Sequence, residues 1–209
     1  MLHKETVEPG TLGLLKELMQ LPELEQFRLV GGTALSLFLG HRSSIDLDLF
    51  TDTAFDKENI IFELSSKYAS FTFQEIKSPR LFFAYINNVK VDFVTTFEKF
   101  TYNSDVQEDI RFASVEDIIA LKLNAIAGRG AKKDFWDIYE LLNHYDFNKM
   151  LSFYENRYPN NSLMMVLKSM TYFVEADMQP DPHCFKNLEW KKIKKEITQQ
   201  INIYIKTKN

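Results

Sequence analysis

Residues Leu29 to Phe50 read LVGGTALSLFLGHRSSIDLDLF, and this pattern sets the terms for the rest of the chain. A short apolar run, Phe27 to Val30, ends at the pair Gly31-Gly32. Leu35, Phe38 and Leu39 follow at helical spacing, and Gly40 supplies a stop. Ile45-Asp46-Leu47-Asp48-Leu49-Phe50 then alternates apolar and acidic residues. Successive side chains of a strand point to opposite faces, so the spacing predicts Asp46 and Asp48 on one face and Ile45, Leu47 and Leu49 on the other. Two carboxylates would then stand roughly 7 Å apart at their Cα atoms. Such a pair suits a hard divalent cation, which takes oxygen ligands and keeps substrate phosphates in its shell. A diglycine lets the backbone approach a ligand closely, and the free N–H groups of the next helix favour an anion. Each part alone has an ordinary reading: a D-x-D strand is usually a solvated face, and a diglycine before a helix a tight turn.

Outside this stretch the composition is that of an ordinary globular chain. Of 209 residues, 45% are apolar and 26% charged, enough to bury a large core. Eighteen Phe and nine Tyr make that core aromatic. A net charge of −4 argues against a surface that grips nucleic acid everywhere, while leaving room for a local basic patch. Cys184 is the only cysteine, so no internal disulfide can form. The polar start, MLHKETVEPG, lacks a signal-peptide core, and no apolar run approaches the ~18 residues of a membrane span. These features predict a cytoplasmic protein with no membrane partner.

Periodicity predicts helices over 11–20 and 55–68, and strands over 71–76, 81–86 and 90–95. Asn87-Asn88 tolerates the left-handed conformation of a two-residue hairpin turn between the last two. In VKVDFV, Val89, Val91 and Phe93 share one face and Lys90, Asp92 and Val94 the other. An acidic residue there points to a face that is wet or chemically occupied. Asp105 and Asp109 fall in a polar segment after the hairpin and are expected to be silent. Ser114-Val115-Glu116-Asp117 is a capping box opening a helix to Ala127, with Gly128-Arg129-Gly130 as its stop. Lys122 and Arg129 are two turns apart and share a face if the helix reaches Arg129. An exposed helical lysine would contribute little to folding. Asp134 and Asp137 sit at the start of the next helix, beside the apolar Phe135, Ile138, Leu141 and Leu142. Further helices are expected over 147–158, 163–174 and 190–205, with Gln179 to Pro182 a rigid connector. Lysines 191, 192, 194, 195, 206 and 208 make the tail basic, which usually means a solvated helix face. In the polar loop His41-Arg42-Ser43-Ser44, His41 reads as an ordinary loop histidine. The Arg42 guanidinium suits either a phosphate or the carboxylates.

The order strand, GG[S/T], helix, D-x-D strand resembles the first motif of the DNA polymerase beta-like nucleotidyltransferases. Within that superfamily GGTAL…HRSSIDLDLF is similar to the AbiEii/AbiGii toxin family, which includes the MenT-type toxins. LKLNAIAGRGAKKDFWDIYELL is similar to that family's second signature: a lysine, an arginine, then K-D-x-x-D-[IL] leading into a helix. The resemblance covers about Phe27 to Leu142, and the final third adds no motif. It implies an α/β (α+β) fold: a mixed sheet from strands near 27–30, 45–50, 71–76, 81–86 and 90–95. Residues 1–113 would form the catalytic core, and a helical C-terminal region, 114–209, would complete the active site.

The activity implied is transfer of a nucleoside monophosphate from an NTP to an acceptor, tRNA or another RNA, with release of pyrophosphate. Mg²⁺ or Mn²⁺ is the implied cofactor. The implied setting is a type IV-like toxin–antitoxin or abortive-infection system with a cognate antitoxin. On the matching positions, Gly31, Gly32 and the Thr33 hydroxyl would seat the triphosphate, and Asp46 and Asp48 would hold the metal. Asp92 would be the third carboxylate, completing the acceptor-side metal and helping to deprotonate the attacking hydroxyl. Arg42, Lys122 and Arg129 would offset phosphate charge, and Asp134 or Asp137 would orient these cations or the base. Thr33 replaces the serine common after the diglycine, which keeps the hydroxyl. Two other readings stay open: a catalytically silent binding module, and the same chemistry on a protein or small-molecule acceptor.

Overall fold

Pro9 opens the first helix, α1 (Pro9–Met19), at the position where a missing N–H costs nothing. The computed structural model describes residues 1–208. After α1 come β1 (Arg28–Val30), α2 (Gly31–Leu39), β2 (Leu47–Thr51), α3 (Lys57–Lys67), β3 (Thr72–Gln74), β4 (Leu81–Ile86), β5 (Val89–Thr95), β6 (Asp105–Gln107) and β7 (Ile110–Phe112). Helices then take over: α4 (Val115–Arg129), α5 (Lys132–Leu141), α6 (Phe147–Arg157), α7 (Leu163–Ser169), α8 (Val174–Asp177) and α9 (Trp190–Lys208). The strands pair into one mixed sheet in the order β3-β4-β5-β2-β1-β7-β6. β2 runs parallel to β5 and β1 parallel to β7, with antiparallel pairing elsewhere. The α/β class and mixed sheet expected from the sequence are those observed.

Alternation sorts the central strands into two faces. Leu47, Leu49, Val91, Phe93, Phe82, Ala84 and Ile86 are buried together. Phe82 and Phe93 stack at 4.5 Å between centroids, and Phe27 meets Phe93 edge-on at 5.8 Å. A fully buried Phe contributes about 1.5–3 kcal/mol, so this face anchors the sheet. On the other face Asp48, Phe50, Leu81, Phe83, Asp92 and Val94 are only partly covered. The Asn87-Asn88 turn has φ of 51° and 65°, as its composition predicts for a two-residue hairpin.

Several boundaries differ from the sequence reading. β2 starts at Leu47, and Ile45 is 65% exposed instead of joining the apolar face. The chain before it is committed elsewhere: Ser43 N–H donates to His183 O, Ser44 N–H to Thr6 O, and Asp46 O accepts from the Thr33 hydroxyl. β3 covers only Thr72–Gln74, all exposed, and the predicted 163–174 helix breaks into α7 and α8. Residues 105–112, expected to be an irregular polar segment, form the β6–β7 hairpin around Glu108 and Asp109, whose φ values are 49° and 66°. Asp105 therefore sits on the edge strand farthest from β5. α4 does reach Arg129, stopped by Gly130 at φ 53°.

The C-terminal third, mute as sequence, is locked down by one buried pair. Ser114 caps α4 and donates to Asp117, whose carboxylate also accepts from the Thr101 and Tyr102 N–H groups. Arg157 of α6 donates to the same carboxylate at 2.8 Å, and both side chains are fully buried. Trp190 of α9 stacks on Trp136 of α5 at 5.4 Å, and Ile193, Ile197 and Ile201 are buried beneath a lysine-rich outer face. No helix among the described residues is long and apolar enough to cross a membrane. Removing one partner of a buried ion pair strands the other charge. Arg157→Ala should therefore lower stability by about 3–5 kcal/mol, read from urea unfolding. A loss below about 1 kcal/mol would show that the pair does not clamp α6 to α4.

Candidate active site

Asp48 on β2 lies directly opposite Asp92 on β5, so the two carboxylates share the open face at neighbouring strands. Their backbones belong to central strands, each paired on both sides. Asp46 sits one step before β2, partly exposed, with Lys133 Nζ 3.3 Å from its carboxylate. Lys90, two residues before Asp92 and on the same face, places Nζ 2.6 Å from both Asp92 oxygens. The carboxyl of Asp48 is pushed up from its ordinary value by burial and by the neighbouring charges of Asp92 and Asp46, against the opposing pull of Lys122 and Arg129.

The diglycine serves these neighbours directly. Gly31 has φ 71°, and a Cβ there would stand 2.0 Å from Asp48 Oδ2. A Cβ on Gly32 would stand 2.4 Å from Arg42 Nη2. A side chain at 31 would also be strained by the positive φ, and one at 32 would push the Arg42 guanidinium off Asp137. The buried Thr33 hydroxyl is bonded to Ser44 Oγ and Asp46 O, so it ties the loop before the D-x-D strand. That arrangement differs from the expected hydroxyl facing a triphosphate.

Behind the carboxylates lies a buried ionic cluster. Asp137 of α5 accepts from Arg42 Nε at 2.7 Å and Nη2 at 2.8 Å, from His41 Nε2 at 2.8 Å, and pairs with Lys122 Nζ at 2.6 Å. Burial alone would raise the Asp137 carboxyl; Arg42 and Lys122, with the hydrogen bonds of His41 and Arg42, hold it well below its ordinary range. Asp134 accepts from Lys122 at 2.8 Å and from Arg129 at 2.9 and 3.1 Å, and these cations likewise outweigh burial and depress it. Lys122 is raised: Asp137 and Asp134 overcome the desolvation that would lower it. The sequence predicts Lys122 as an exposed helical lysine, yet it is buried, because α5 brings two acidic residues over it. Arg42 is buried too and spends its fork on Asp137 instead of facing solvent. Arg129 alone of these cations keeps a side chain that is 60% exposed.

Between α4 and the central strands β1 and β2 runs a cleft of about 350 Å³. Asp48, Lys122 and Arg129 line it together with the apolar Val30, Phe50 and Leu121. Sequence reasoning singles out Asp46, Asp48, Asp92, Lys122, Arg129, Asp134 and Asp137, and the fold gathers all of them around Asp48 and the Lys122 cluster. It missed Lys90, Lys133 and the engagement of His41. The signal for Lys90 was its place two residues before Asp92, on the same strand face. His41 carried none: its partner lies 96 residues away. Nor did residues 183–185, which lie against 41–43 through the Ser43–His183 and Phe185–His41 backbone bonds and pin the His41-Arg42 loop.

The fold is that of a nucleotidyltransferase. The model of a family described as "Nucleotidyl transferase AbiEii toxin, Type IV TA system" matches residues 13–203. The chain belongs to this AbiEii nucleotidyltransferase toxin family. A protein of Aquifex aeolicus (strain VF5), aq_aa25, is 27% identical over 199 residues, covering 91% of this chain and 94% of its own length. The crystal structure of JHP933 from Helicobacter pylori has the same fold, with a TM-score of 0.55 at 19% identity, over 96% of this chain and 94% of that one. MenT4, the nucleotidyltransferase toxin Rv2826c from Mycobacterium tuberculosis H37Rv, gives a TM-score of 0.56 at 14% identity, over 96% of this chain and 88% of its own.

The electrostatics have measurable consequences. Asp134 and Asp137 contribute stability that is complete above the ordinary carboxyl value of 3.8 and is lost as pH falls through their lower folded values. The Lys122 contribution is complete below 10.5 and lost as pH rises through its higher folded value. Lys122→Ala should therefore cost about 3–5 kcal/mol at neutral pH, shrinking as the two carboxylates protonate in acid. Urea unfolding at pH 7 and in acid tests this, and a neutral-pH loss under about 1 kcal/mol would remove Lys122 from the structural cluster. Asp48 has the opposite sign. Its raised carboxyl makes ionisation above 3.8 unfavourable to the folded state. Asp48→Asn in metal-free buffer should unfold at or above the wild-type Tm at pH 7, with no advantage in acid. A clear fall in Tm would mean that the Asp48 charge stabilises the fold.

Proposed function

We propose that this enzyme transfers a nucleoside monophosphate from an NTP to a hydroxyl of an RNA acceptor, tRNA being the expected class. The observation that carries the proposal is the direct register of Asp48 with Asp92 at the mouth of a cleft that Lys122 and Arg129 also line. Asp46, Asp48 and Asp92 are the residues that would hold Mg²⁺ or Mn²⁺. Among the described residues no three such side chains converge into a preformed cage, since Asp92 and Asp46 are each turned to a lysine. Their chemistry nevertheless fits a hard cation. The donors are all carboxylate oxygens, and Asp48 is held against its charge. Two ammonium groups already stand where positive charge is wanted. When bound, the cation would neutralise the phosphates and favour in-line displacement.

The remaining roles follow from the chain's own groups. The Gly31-Gly32 backbone lets the triphosphate approach without a Cβ in the way. Arg129, exposed at the cleft, would meet the phosphates, with the Lys122 charge behind it. Val30, Phe50 and Leu121 offer an apolar wall to the nucleoside. Asp92 would take the proton as the acceptor oxygen bonds to the α-phosphorus and the bond to pyrophosphate breaks. Thr33, Arg42, His41 and Asp137 act as positioning residues for the loop that delivers Asp46 and Asp48. We place residues 1–113 as the catalytic core and 114–209 as the helical region that supplies Lys122 and Arg129. Family membership supports a toxin with a cognate antitoxin as partner, working in the cytoplasm.

The test is incubation with each labelled NTP, Mg²⁺ and total RNA, followed by identification of the labelled macromolecule. Asp46→Asn, Asp48→Asn and Asp92→Asn should bring transfer to background in folded protein, while Asp105→Asn on the far edge strand transfers like wild type. Near-wild-type transfer by the first three variants would overturn the metal assignment.

A further inference from the structure

β4 reads LFFAYI, and both of its faces are apolar or aromatic. An antiparallel strand with one wet face normally shows polar residues there, and apolar residues on both faces normally mean cover on both. Phe82, Ala84 and Ile86 have that cover. Phe83 is only partly covered and Tyr85 is 50% exposed. The strand register puts Phe83 opposite Asp92 and Tyr85 opposite Lys90, so both aromatics lie on the carboxylate face. Beyond them, Thr72 and Gln74 of the edge strand β3 stand opposite Tyr85 and Phe83 and are themselves exposed. The cleft beside Asp48 is lined by α4 together with β1 and β2, and no residue of β4 lines it. A partly exposed aromatic surface therefore runs from Asp92 towards the β3 edge of the sheet, and Lys90 Nζ lies 5.2 Å from the Phe83 ring centroid.

We propose that this surface, Phe83 and Tyr85 with Lys90 beside them, seats the terminal nucleotide of a single-stranded RNA acceptor. The proposal rests on the reading of nucleotidyl transfer to RNA given above and adds the place where that RNA sits. Aromatic rings accept bases of any identity by stacking, and an adjacent cation meets the backbone phosphate. Directly opposed residues on neighbouring strands have Cβ atoms about 4.5–5.5 Å apart. A base stacked on Phe83 and Tyr85 thus holds its sugar hydroxyl next to Asp92, on the side away from the NTP cleft. Lys90 is free to take the phosphate once the Asp92 carboxylate is engaged by a metal.

The experiment measures fluorescence anisotropy of a 5′-labelled single-stranded RNA oligonucleotide with a free 3′-hydroxyl, alongside calorimetric affinity for Mg²⁺ and NTP. Tyr85→Ala and Phe83→Leu are compared with wild type, and Phe62→Ala, an exposed aromatic on α3, serves as control. Tyr85→Ala should weaken RNA binding roughly 5- to 150-fold while NTP affinity and the Phe62→Ala variant stay at wild-type values. Wild-type RNA affinity in both Tyr85→Ala and Phe83→Leu overturns the seat. So does a wild-type protein that binds no RNA, or that labels a protein acceptor; intact NTP binding then leaves nucleotidyl transfer standing. Absence of NTP binding by wild type would fell the transfer reading and the seat with it.

Discussion

A single carboxylate with no contact to solvent, that of Asp137, determines how the site is assembled. It draws in Arg42 and His41 from the loop before β2, and Lys122 from α4, while itself belonging to α5. Stripping water from one carboxylate and several cations is expensive, and only close, well-directed contacts offset it. Each contact here is 2.8 Å or shorter. The consequence reaches the backbone: because Arg42 must pass over the start of α2 to reach Asp137, residue 32 has no room for a side chain. Gly31 is required by Asp48 and Gly32 by Arg42. The diglycine thus answers the two halves of the site, the carboxylates in front and the ionic cluster behind.

The charges of that cluster do not cancel. Arg42, Lys122 and Arg129 face Asp134 and Asp137, leaving positive charge in excess, and the excess shows at the cleft through the half-exposed Arg129. In front, Asp46, Asp48 and Asp92 leave negative charge in excess, which Lys90 and Lys133 partly neutralise. A triphosphate with its cation carries the complementary pair of charges and would relieve both imbalances at once. Side chains strained before the ligand arrives are common at sites of this kind, where stability gives way to binding.

What the sequence reveals follows from the range of the interactions involved. Alternation in IDLDLF and VKVDFV is local, so the face that Asp48 or Asp92 takes on its own strand is legible in the residue order, whereas the pairing of the two strands is implied only by the family resemblance. The left-handed Asn87-Asn88 turn and the Ser114 cap are local too, and both are present. Ile45 escaped because its neighbours Ser44 and Asp46 are tied to Thr6 and Thr33 by bonds that no nearby pattern encodes. The β6–β7 strands, three residues each, are too short to carry an alternation signal. Burial of Lys122 escaped for a different reason. Helical spacing fixes which face a lysine occupies, and only the partner helix decides whether that face is wet. Recognising K-D-x-x-D as a motif pointed to the right residues, while the bonds from Asp137 to His41 and Arg42 across more than 90 positions remained invisible.

The same sheet must be firm and open, and its two faces divide those demands. Stacking of Phe82 on Phe93, with Phe27 and Phe55 packed around them, gives the β4–β5–β2 core an aromatic anchor on one side. With stability secured there, the opposite face can leave its aromatics in water at modest cost, since exposed apolar surface is penalised by area and not by position. α4 then decides what the open face can accommodate. Where its Leu121 and Ala125 lie over β1 and β2, the space narrows to a cleft of about 350 Å³. Beyond the residues that line the cleft, the same face carries the partly covered Phe83 and the half-exposed Tyr85 towards β3. The Asp48–Asp92 pair lies on the line between these regions. On the proposed reading, the carboxylates would then stand between the nucleotide donor and its acceptor.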